Sequence, residues 1–474
     1  MARNRVFYQS EALYVGPSPA TGFHLTFGPK LATVHGDAAN KLGFQAHMNT
    51  ASAGLTTASL GDGGDHSTNT VGGGMLTPTS VGAIAGSGIG NLIKRVQRVQ
   101  DVSYSFNITR QDVNQFGELA AIDRVVLESP TVSLDFSYIL SDLNNEHILG
   151  FYVEHSGNHA TEVDAMSAMS GFLTKATDER NYFIQTVSEG EDALGGSHSE
   201  GWNSAGRTNV DSAGRSSVIG IGNGFLTSYT HEASVGDFPT ASCSVEGLNM
   251  AFDIGTSGNF VPAVNPVDGA KNQSVQYVLP SGISNHTGSI PVGNQLSALR
   301  PGDITVKILK KGAGPAGTEM TSLTGLMIDD AKIQSYSLSF DLARDPLQKL
   351  GSRYAFSREI TFPVTVTCTI DANVGDLYSG NLSDVVNEDT NINYDLMLDL
   401  RGPQAGASAL PVARYELRNC KIDSQEYTSD IGSNKSVSLT FSSQIGGTKQ
   451  TDRGLFMSGV YDKGNLANSP GNTA

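Results

Sequence analysis

Three short stretches of the chain carry residue types that could do chemistry. In GDGGDH, the side chains of Asp62, Asp65 and His66 could bind a metal ion, because carboxylates and imidazoles are common metal ligands. No further ligands follow at a complete metal-binding spacing, and glycine-rich surface loops often contain Asp and His. The stretch therefore favours an ordinary loop over a metal site.

The other two stretches match catalytic or phosphate-binding motifs only in part. AGSGIGN, residues 85–91, has glycines like those of a phosphate-binding loop, but it lacks the Lys-Ser/Thr pair and a surrounding strand–helix pattern. GGSHSEGW places Ser197, His198, Ser199 and Glu200 side by side, whereas a catalytic triad is built from residues that converge in space. We therefore expect no enzyme, no cofactor and no metal ion.

Composition narrows the class of protein further. The 474 residues carry a formal net charge of -16, only 16% of them are charged, and 54 are glycine. This acidic balance argues against a protein that grips nucleic acid with clustered Lys and Arg. The low charge and the many glycines favour a mainly β protein with many turns. No apolar run is long enough to span a membrane, and the start lacks the apolar core of a signal peptide.

The three cysteines predict no disulfide and no metal site. Cys243, Cys368 and Cys420 are an odd number, have no CxxC spacing, and each lies in an alternating apolar run. This pattern is typical of reduced core cysteines in a protein made inside a cell.

Strict alternation of apolar and polar residues predicts two similar strand pairs. VQDVSYSFNITR and TVSLDFSYIL form the first pair, joined by a loop over residues 110–124. IQSYSLSFDLAR and PVTVTCTI form the second, and SYSFNITRQDVNQFG (103–117) matches SLSFDLARDPLQKLG (337–351) without a gap. The matches continue to Arg124 and Arg358. In sequence, PVTVTCTI matches PTVSLDFSYI of the first copy with a shift of one residue.

Later elements repeat in the same order. Each strand pair is followed by a helix-like stretch, TEVDAMSAMSGFL and DLYSGNLSDVV, and then by a strand. Each half closes with a strand, a turn and a strand, in which Ser228 matches Ser424. The chain therefore reads as a tandem duplication of one β-rich domain. We predict an N-terminal arm and Gly/Ser-rich segment (1–90), copy 1 (91–255, with a loop insertion at 188–216), a connector (256–325), copy 2 (326–448) and a C-terminal tail (449–474).

The polar faces of the duplicated strands are short of Lys and Arg, which normally appear on exposed strands. Either this shortage is incidental, or the face is a smooth, mildly negative wall that repels a phosphate backbone. In the second interpretation the lining residues are Ser103, Ser105, Asn107, Thr109, Thr131, Ser133, Asp135, Ser337, Ser339, Asp341, Thr365 and Thr367.

The hairpin with alternating serines, the helix-like stretch and the closing FLTSYTHEASVGDFPTASCSVEG resemble bacteriophage major tail (tail tube) proteins. With their second copies these segments cover somewhat more than half of the chain. The resemblance implies two β-sandwich domains, each flanked by a short helix, stacked as rings around a channel through which DNA passes without specific binding. It also implies strands 99–109, 131–139, 333–343 and 364–370 along the channel.

The same resemblance implies the partners and the place of assembly. Two domains in one chain suggest a homotrimer that forms a pseudo-hexameric ring, made in the host cytoplasm and found in the virion, with no membrane contact. Further partners would be tape-measure, tail terminator and baseplate or tip proteins. The loops would contact neighbouring subunits or rings through Arg110, Asp112, Arg124, Arg344, Asp345 and Arg358, or these side chains are simply solvated. A capsid decoration protein, an adhesin and a carbohydrate-active or metal-dependent enzyme are the alternatives.

Overall fold

The computed structural model of the chain describes part of the 474 residues. The described residues are 11–17, 94–126, 129–155, 167–173, 178–186, 202–203, 217–253, 262–266, 269–270, 278–279, 299–310, 332–352, 354–355, 357–373, 393–401, 411–428, 435–447, 450 and 452–459.

Strands make up most of the regular structure in these ranges, which confirms the predicted mainly β fold. The strands are β1 (Glu11–Pro17), β2 (Lys94–Arg95), β3 (Val99–Asn107), β4 (Gln111–Val113), β5 (Asp123–Val125), β6 (Thr131–Ile139), β7 (Glu154–His155), β8 (Arg180–Thr186), β9 (Trp202–Asn203), β10 (Ser217–Ser234), β11 (Thr240–Gly247), β12 (Asn249–Asp253), β13 (Val278–Leu279), β14 (Ile304–Lys310), β15 (Lys332–Asp341), β16 (Arg344–Leu347), β17 (Ser357–Ile360), β18 (Thr365–Asn373), β19 (Tyr394–Leu400), β20 (Ala413–Thr428), β21 (Ser436–Gln444) and β22 (Gly454–Gly459).

Helical structure is short in the described ranges. It consists of the α-helix α1 (Asn144–Leu149) and two 3-10 helices, Ala168–Gly171 and Pro301–Asp303. Of the helix predicted over 161–173, residues 167–173 are described, and they form the 3-10 turn Ala168–Gly171. The helix predicted over 376–386 lies outside the described residues. A helix flanking each repeat therefore stays a prediction.

Eight strands from both halves of the chain form one continuous sheet, here called the shared sheet. Its order is β3-β6-β11-β10-β15-β18-β21-β20, and every neighbouring pair is antiparallel. The first four strands come from the first half and the last four from the second. The two halves meet where β10 pairs with β15, from Ser228 opposite Asp341 to Ser234 opposite Ser335.

Strand pairing has the same register in both halves. The pair β3–β6 and the pair β15–β18 are related by a constant 234 residues, and even their register shifts match, after Val99 and after Ile333. The expectation that PVTVTCTI is one residue out of phase is wrong, because Val132 pairs with Phe106 and Val366 with Phe340. The closing pairs β10–β11 and β20–β21 are related by 196 residues.

The long strands β10 and β20 each take part in two layers. The first part of β10 pairs with β8 and β12, and the first part of β20 pairs with β19 and β22. Before each strand enters the shared sheet, an asparagine adopts left-handed backbone angles, with φ of 54° at Asn223 and 56° at Asn419. Asparagine tolerates this conformation better than most residues. The backbone N–H of Asn223 donates to Oδ1 of Asn181 at 3.4 Å, and that of Asn419 donates to Oδ1 of Asp395 at 2.7 Å.

Three outer strands, β1, β14 and β22, extend these repeats beyond the segments assigned to them from the sequence. β1 pairs with β8 just as β14 pairs with β19, and β22 occupies beside β20 the place that β12 occupies beside β10. β1 lies in the predicted arm, β14 in the predicted connector and β22 in the predicted tail. The domain boundaries themselves stay a prediction.

The apolar sides of these layers face each other across one core. Buried side chains of β6, β10, β15, β18 and β21 form a single cluster with those of β1, β8, β19 and β22. Burial of each large apolar side chain contributes about 1.5–3 kcal/mol. The alternating sequences put apolar residues on this side and hydroxyl residues on the other, so the core fixes which face of the shared sheet remains outside.

The connections predicted as loops contain short hairpins. The predicted loop 110–124 forms most of the β4–β5 hairpin, which spans residues 111–125, and the predicted loop 344–358 forms most of the β16–β17 hairpin, which spans residues 344–360. Gly117 and Gly351, which match between the copies, both have positive φ, 95° and 84°. Glycine adopts such angles without strain, which suits the turn of a hairpin.

Candidate functional surface

The polar side of the shared sheet carries an almost unbroken array of short side chains, here called the hydroxyl face. It consists of the odd-numbered residues of 101–107, 131–137, 335–341 and 365–373 and the even-numbered residues of 228–234, 240–246, 424–428 and 436–444. All of these residues are exposed or half-buried. Ser and Thr dominate, so the surface is low in relief.

Charge on the hydroxyl face is of one sign. No member is Lys or Arg; the charged members are Asp101, Asp135, Glu232, Glu246, Asp341, Asp371 and Glu426. Where β20 enters the shared sheet, Lys421 lies opposite Ser442 and therefore on the same side of the sheet, and from the loop side Arg358 pairs with Glu246 at 2.7 Å. The interior of the face therefore offers a phosphate backbone no cation to bind.

Hydroxyl groups on this face bond to neighbouring strands. The hydroxyls of Ser105 and Ser133 lie 2.7 Å apart, and Ser335 donates to Asp371 at 2.8 Å. Ser137 also donates to Asp101. Cross-strand pairs of this kind stabilise a sheet and leave fewer free groups to bind a passing molecule.

The predicted lining residues fall on the hydroxyl face with one exception. Eleven of the twelve are members of it: Ser103, Ser105, Asn107, Thr131, Ser133, Asp135, Ser337, Ser339, Asp341, Thr365 and Thr367. Thr109 lies beyond the end of β3 at Asn107. A role of these residues in lining a channel stays a prediction.

The predicted loop residues differ between the two copies. In the first hairpin, Arg124 pairs with Asp112 at 2.6 Å, and both side chains are well exposed. Arg110 and Asp345 are exposed as well. In the second copy, Arg344 and Arg358 are instead buried and bound within the chain.

Arg344 joins the two halves of the chain. Its guanidinium donates to both carboxylate oxygens of Asp178 at 2.6 Å and to the carbonyl oxygens of Leu226 (3.3 Å) and Arg358 (3.1 Å). It also lies over the ring of Phe225, 5.0 Å from its centre. The pKa of Asp178 is raised by burial, and Arg344 opposes that shift. A buried charge pair with two parallel hydrogen bonds fixes geometry strongly.

A buried carboxyl group lies beneath the same junction. Oε1 of Glu146, on α1, accepts hydrogen bonds from the hydroxyls of Tyr138 (2.7 Å), Tyr229 (3.1 Å) and Tyr415 (3.4 Å). Tyr415 belongs to the second half and the other three residues to the first. Burial raises the pKa of Glu146 to about 7, and the Tyr138 hydroxyl opposes this shift. The cluster thus ties the halves together through polar groups.

Sequence reasoning missed both the Glu146 cluster and the partner of Arg344. Glu146 lies in NNEHIL, a stretch with no helical periodicity long enough to recognise, and its tyrosines are spread over 278 positions of sequence. The only available signal was the unusual number of tyrosines on strand faces that should otherwise be apolar.

The three stretches first considered for chemistry lie outside the described residues. These are Asp62, Asp65 and His66, residues 85–91, and Ser197 to Glu200 in the 188–216 insertion, of which Trp202–Asn203 is described. Within the described part of the chain, no group of three or more His, Cys, Asp or Glu side chains is arranged to hold a metal ion. In the same ranges, no helix has the length and apolar character needed to cross a bilayer. All three cysteines are free and buried.

Comparison with known proteins gives little. No family model matches the chain, and no curated protein matches it. Among solved structures, the chain is similar to a chain of the anti-feeding prophage (AFP) baseplate, determined by cryo-electron microscopy with six-fold symmetrisation. The identity is 13% and the TM-score 0.21, and the alignment covers 33% of this chain and 93% of that one. A likeness at this level carries no argument about what this chain does.

Proposed function

We propose that the chain is the tail tube protein of a tailed bacteriophage, a structural protein of the virion that assembles into stacked rings around a channel for DNA. The observation that carries this proposal is the hydroxyl face, which runs across eight strands from both halves and lacks Lys and Arg in its interior. A wall of short hydroxyl and acidic side chains lets a polyanion pass because it neither obstructs nor attracts it.

Dimensions support the same function. The shared sheet contains eight strands, so three chains would supply a closed barrel of 24. With about 4.8 Å between strands and the usual tilt, such a barrel is roughly 40 to 50 Å across. After the short side chains are subtracted, a DNA duplex fits inside. Closure also pairs strand edges that would otherwise invite aggregation.

The role needs no catalysis and no cofactor. Its partners are copies of the same chain, joined in the virion by tape-measure, tail terminator and baseplate or tip proteins. Assembly would follow synthesis in the host cytoplasm.

Electron microscopy of the purified protein tests the proposal. We expect negative-stain images of stacked hollow rings, and a ring mass in solution three times the 49.9 kDa of one chain. Monomers that persist at high concentration would contradict the proposal and favour a decoration protein or an adhesin.

A further inference from the structure

The two outermost strands of the shared sheet each have one edge with which no other described strand pairs. β3 ends the sheet on one side, pairing with β6, and residues 421–428 of β20 end it on the other, pairing with β21. Each edge presents backbone N–H and C=O groups of the kind that another strand can pair with.

The chain already contains a template for how these edges would join. β10 occupies in the first repeat the place of β20 in the second, and β15 occupies the place of β3. β10 and β15 pair antiparallel within the chain. The two open edges are therefore the repeat equivalents of the two edges that already pair with each other at the internal junction.

We propose that β20 of one chain pairs antiparallel with β3 of the next chain, in the register of the internal junction. This inference rests on the proposed ring assembly and specifies its seam. Shifting the β10–β15 register by 196 and 234 residues places Ser424 opposite Asn107 and Thr428 opposite Ser103. Because the contact is head-to-tail, repeating it gives a ring when the rotation from chain to chain is one third of a turn.

Exposed aromatic side chains on the core side of both edges support this register. Tyr427 is 44% exposed, Tyr104 36% and Phe106 38%, although their faces are otherwise buried along the sheet. The register puts Tyr427 opposite Tyr104. At the internal junction the corresponding side of the strands is fully buried, and Tyr229 stacks on Phe340 with ring centres 5.6 Å apart. Pairing the edges would cover the exposed rings in the same way.

The hairpin that follows each edge strand gives a second match. At the internal junction, residues before β17 pack on the first half: Tyr354 clusters with Leu248 and Val264, and Ser352 donates to the carbonyl of Pro266 at 3.1 Å. The matching β4–β5 hairpin leaves Leu119 fully exposed. In the proposed ring this hairpin lies against the second half of the neighbouring chain.

Disulfide cross-linking of the assembled full-length protein tests the register with four cysteine positions combined in four pairs, two opposed and two shifted. Ser103→Cys with Thr428→Cys, and Asn107→Cys with Ser424→Cys, place the two cysteines directly opposite each other. Opposed Cα atoms lie ~4.5–5.5 Å apart, inside the disulfide range. Ser103→Cys with Ser424→Cys, and Asn107→Cys with Thr428→Cys, use the same positions shifted by four residues, ~13 Å out of reach.

We expect mild oxidation to convert the first two variants into covalent dimers and trimers while the shifted variants remain single chains. Single-cysteine variants control for chance contacts, and the native cysteines are buried. Microscopy of the same samples separates the two proposals. Rings without cross-links at the opposed positions, or with cross-links only in the shifted variants, would overturn this seam and leave the tube intact. Absence of any assembly would overturn both.

Discussion

At the scale of single residues, buried polar side chains meet where the two halves of the chain join. Glu146 and three tyrosines meet beneath the junction, and His231 lies between Tyr336 (hydroxyl 3.2 Å from Nε2) and Tyr415 (ring centres 4.5 Å apart). Burial lowers the pKa of His231 to about 3, so it is neutral in the folded protein at ordinary pH. Buried polar groups of this kind specify one arrangement, because every alternative leaves them without partners.

Glu146→Gln should remove a pH dependence of stability. The folded protein keeps the Glu146 proton up to a pKa of about 7, whereas an exposed glutamate releases it near 4.5. This contribution to the free energy of unfolding is thus complete below pH 4.5 and falls as the pH rises to 7, by on the order of 3 kcal/mol. A neutral amide at this position has no such loss.

Urea unfolding of both proteins between pH 4.5 and 8 measures the effect, and the difference between them isolates Glu146. Asp142, Arg98 and the three tyrosines also face this carboxyl group, while burial of His147 and His231 gives the opposite slope. These groups are present in both proteins. A difference that stays constant across the range would show that Glu146 does not bind the proton in the folded state.

Which side of a strand is buried could be predicted at this scale, but specific polar partners could not. Alternation alone places Ser105 and Ser339 on the outer face, because the period of a strand is two residues. The partner of Arg344 is Asp178, 166 positions away, and the left-handed Asn223 depends on Asn181 in another strand. Such contacts follow from how the layers stack, which no local pattern contains.

At the scale of elements, the predicted strands agree closely with the structure. The predicted spans 99–109, 131–139, 333–343 and 364–370 correspond to β3, β6, β15 and β18, with ends that differ by up to three residues. Alternation identified β6, β15 and β18 because each has one buried face and one more exposed face. β3 alternates in sequence as well, although its apolar residues Tyr104 and Phe106 are more than a third exposed. The β4–β5 hairpin was missed because its residues are exposed on all sides, so burial imposes no pattern on it.

Charge placed on the hydroxyl face should slow the passage of DNA. In Ser105→Lys combined with Ser339→Lys, each repeat presents one ammonium group at equivalent positions of β3 and β15. Two opposite unit charges 4 Å apart in water attract by about 1 kcal/mol, and the attraction recurs at every ring. We expect normal tubes but slower ejection of DNA, with the largest effect at low salt.

The matched control is Ser105→Gln combined with Ser339→Gln, which adds side-chain length without charge. Fluorescence measurements of ejection from purified phage would compare the two with the unchanged protein. Equal ejection rates for the lysine and glutamine variants would place these residues away from the channel.

At the scale of the whole molecule, the internal junction and the proposed seam between chains are related but unequal. Both would join two repeats through the same strands, yet only the internal junction is covalently linked and holds the Arg344–Asp178 pair. By the offset of 214 that relates β8 to β19, Asp178 matches position 392, which is isoleucine, so the sequence of the second copy has no carboxylate at the position that corresponds to Asp178.

Assembled rings should come apart before the chains unfold. With rising urea we expect a first transition to 49.9 kDa chains, at a midpoint that depends on protein concentration, and a second that does not. Light scattering reports the first transition and circular dichroism the second. A single transition seen by both methods would show that the two kinds of junction are equally strong.

The duplicated architecture was visible in the sequence because its offsets of 234 and 196 are constant along whole strands. The role of β1, β14 and β22 was not, because their matches are too short and too divergent to recognise without the sheet that pairs them.

Unequal junctions would determine where a tube built from this chain deforms. If strong and weak junctions alternate around a ring of three chains, bending or torsion is taken up at the three weaker junctions between chains, while each chain keeps its shape. Such a tube could bend repeatedly without closing its channel.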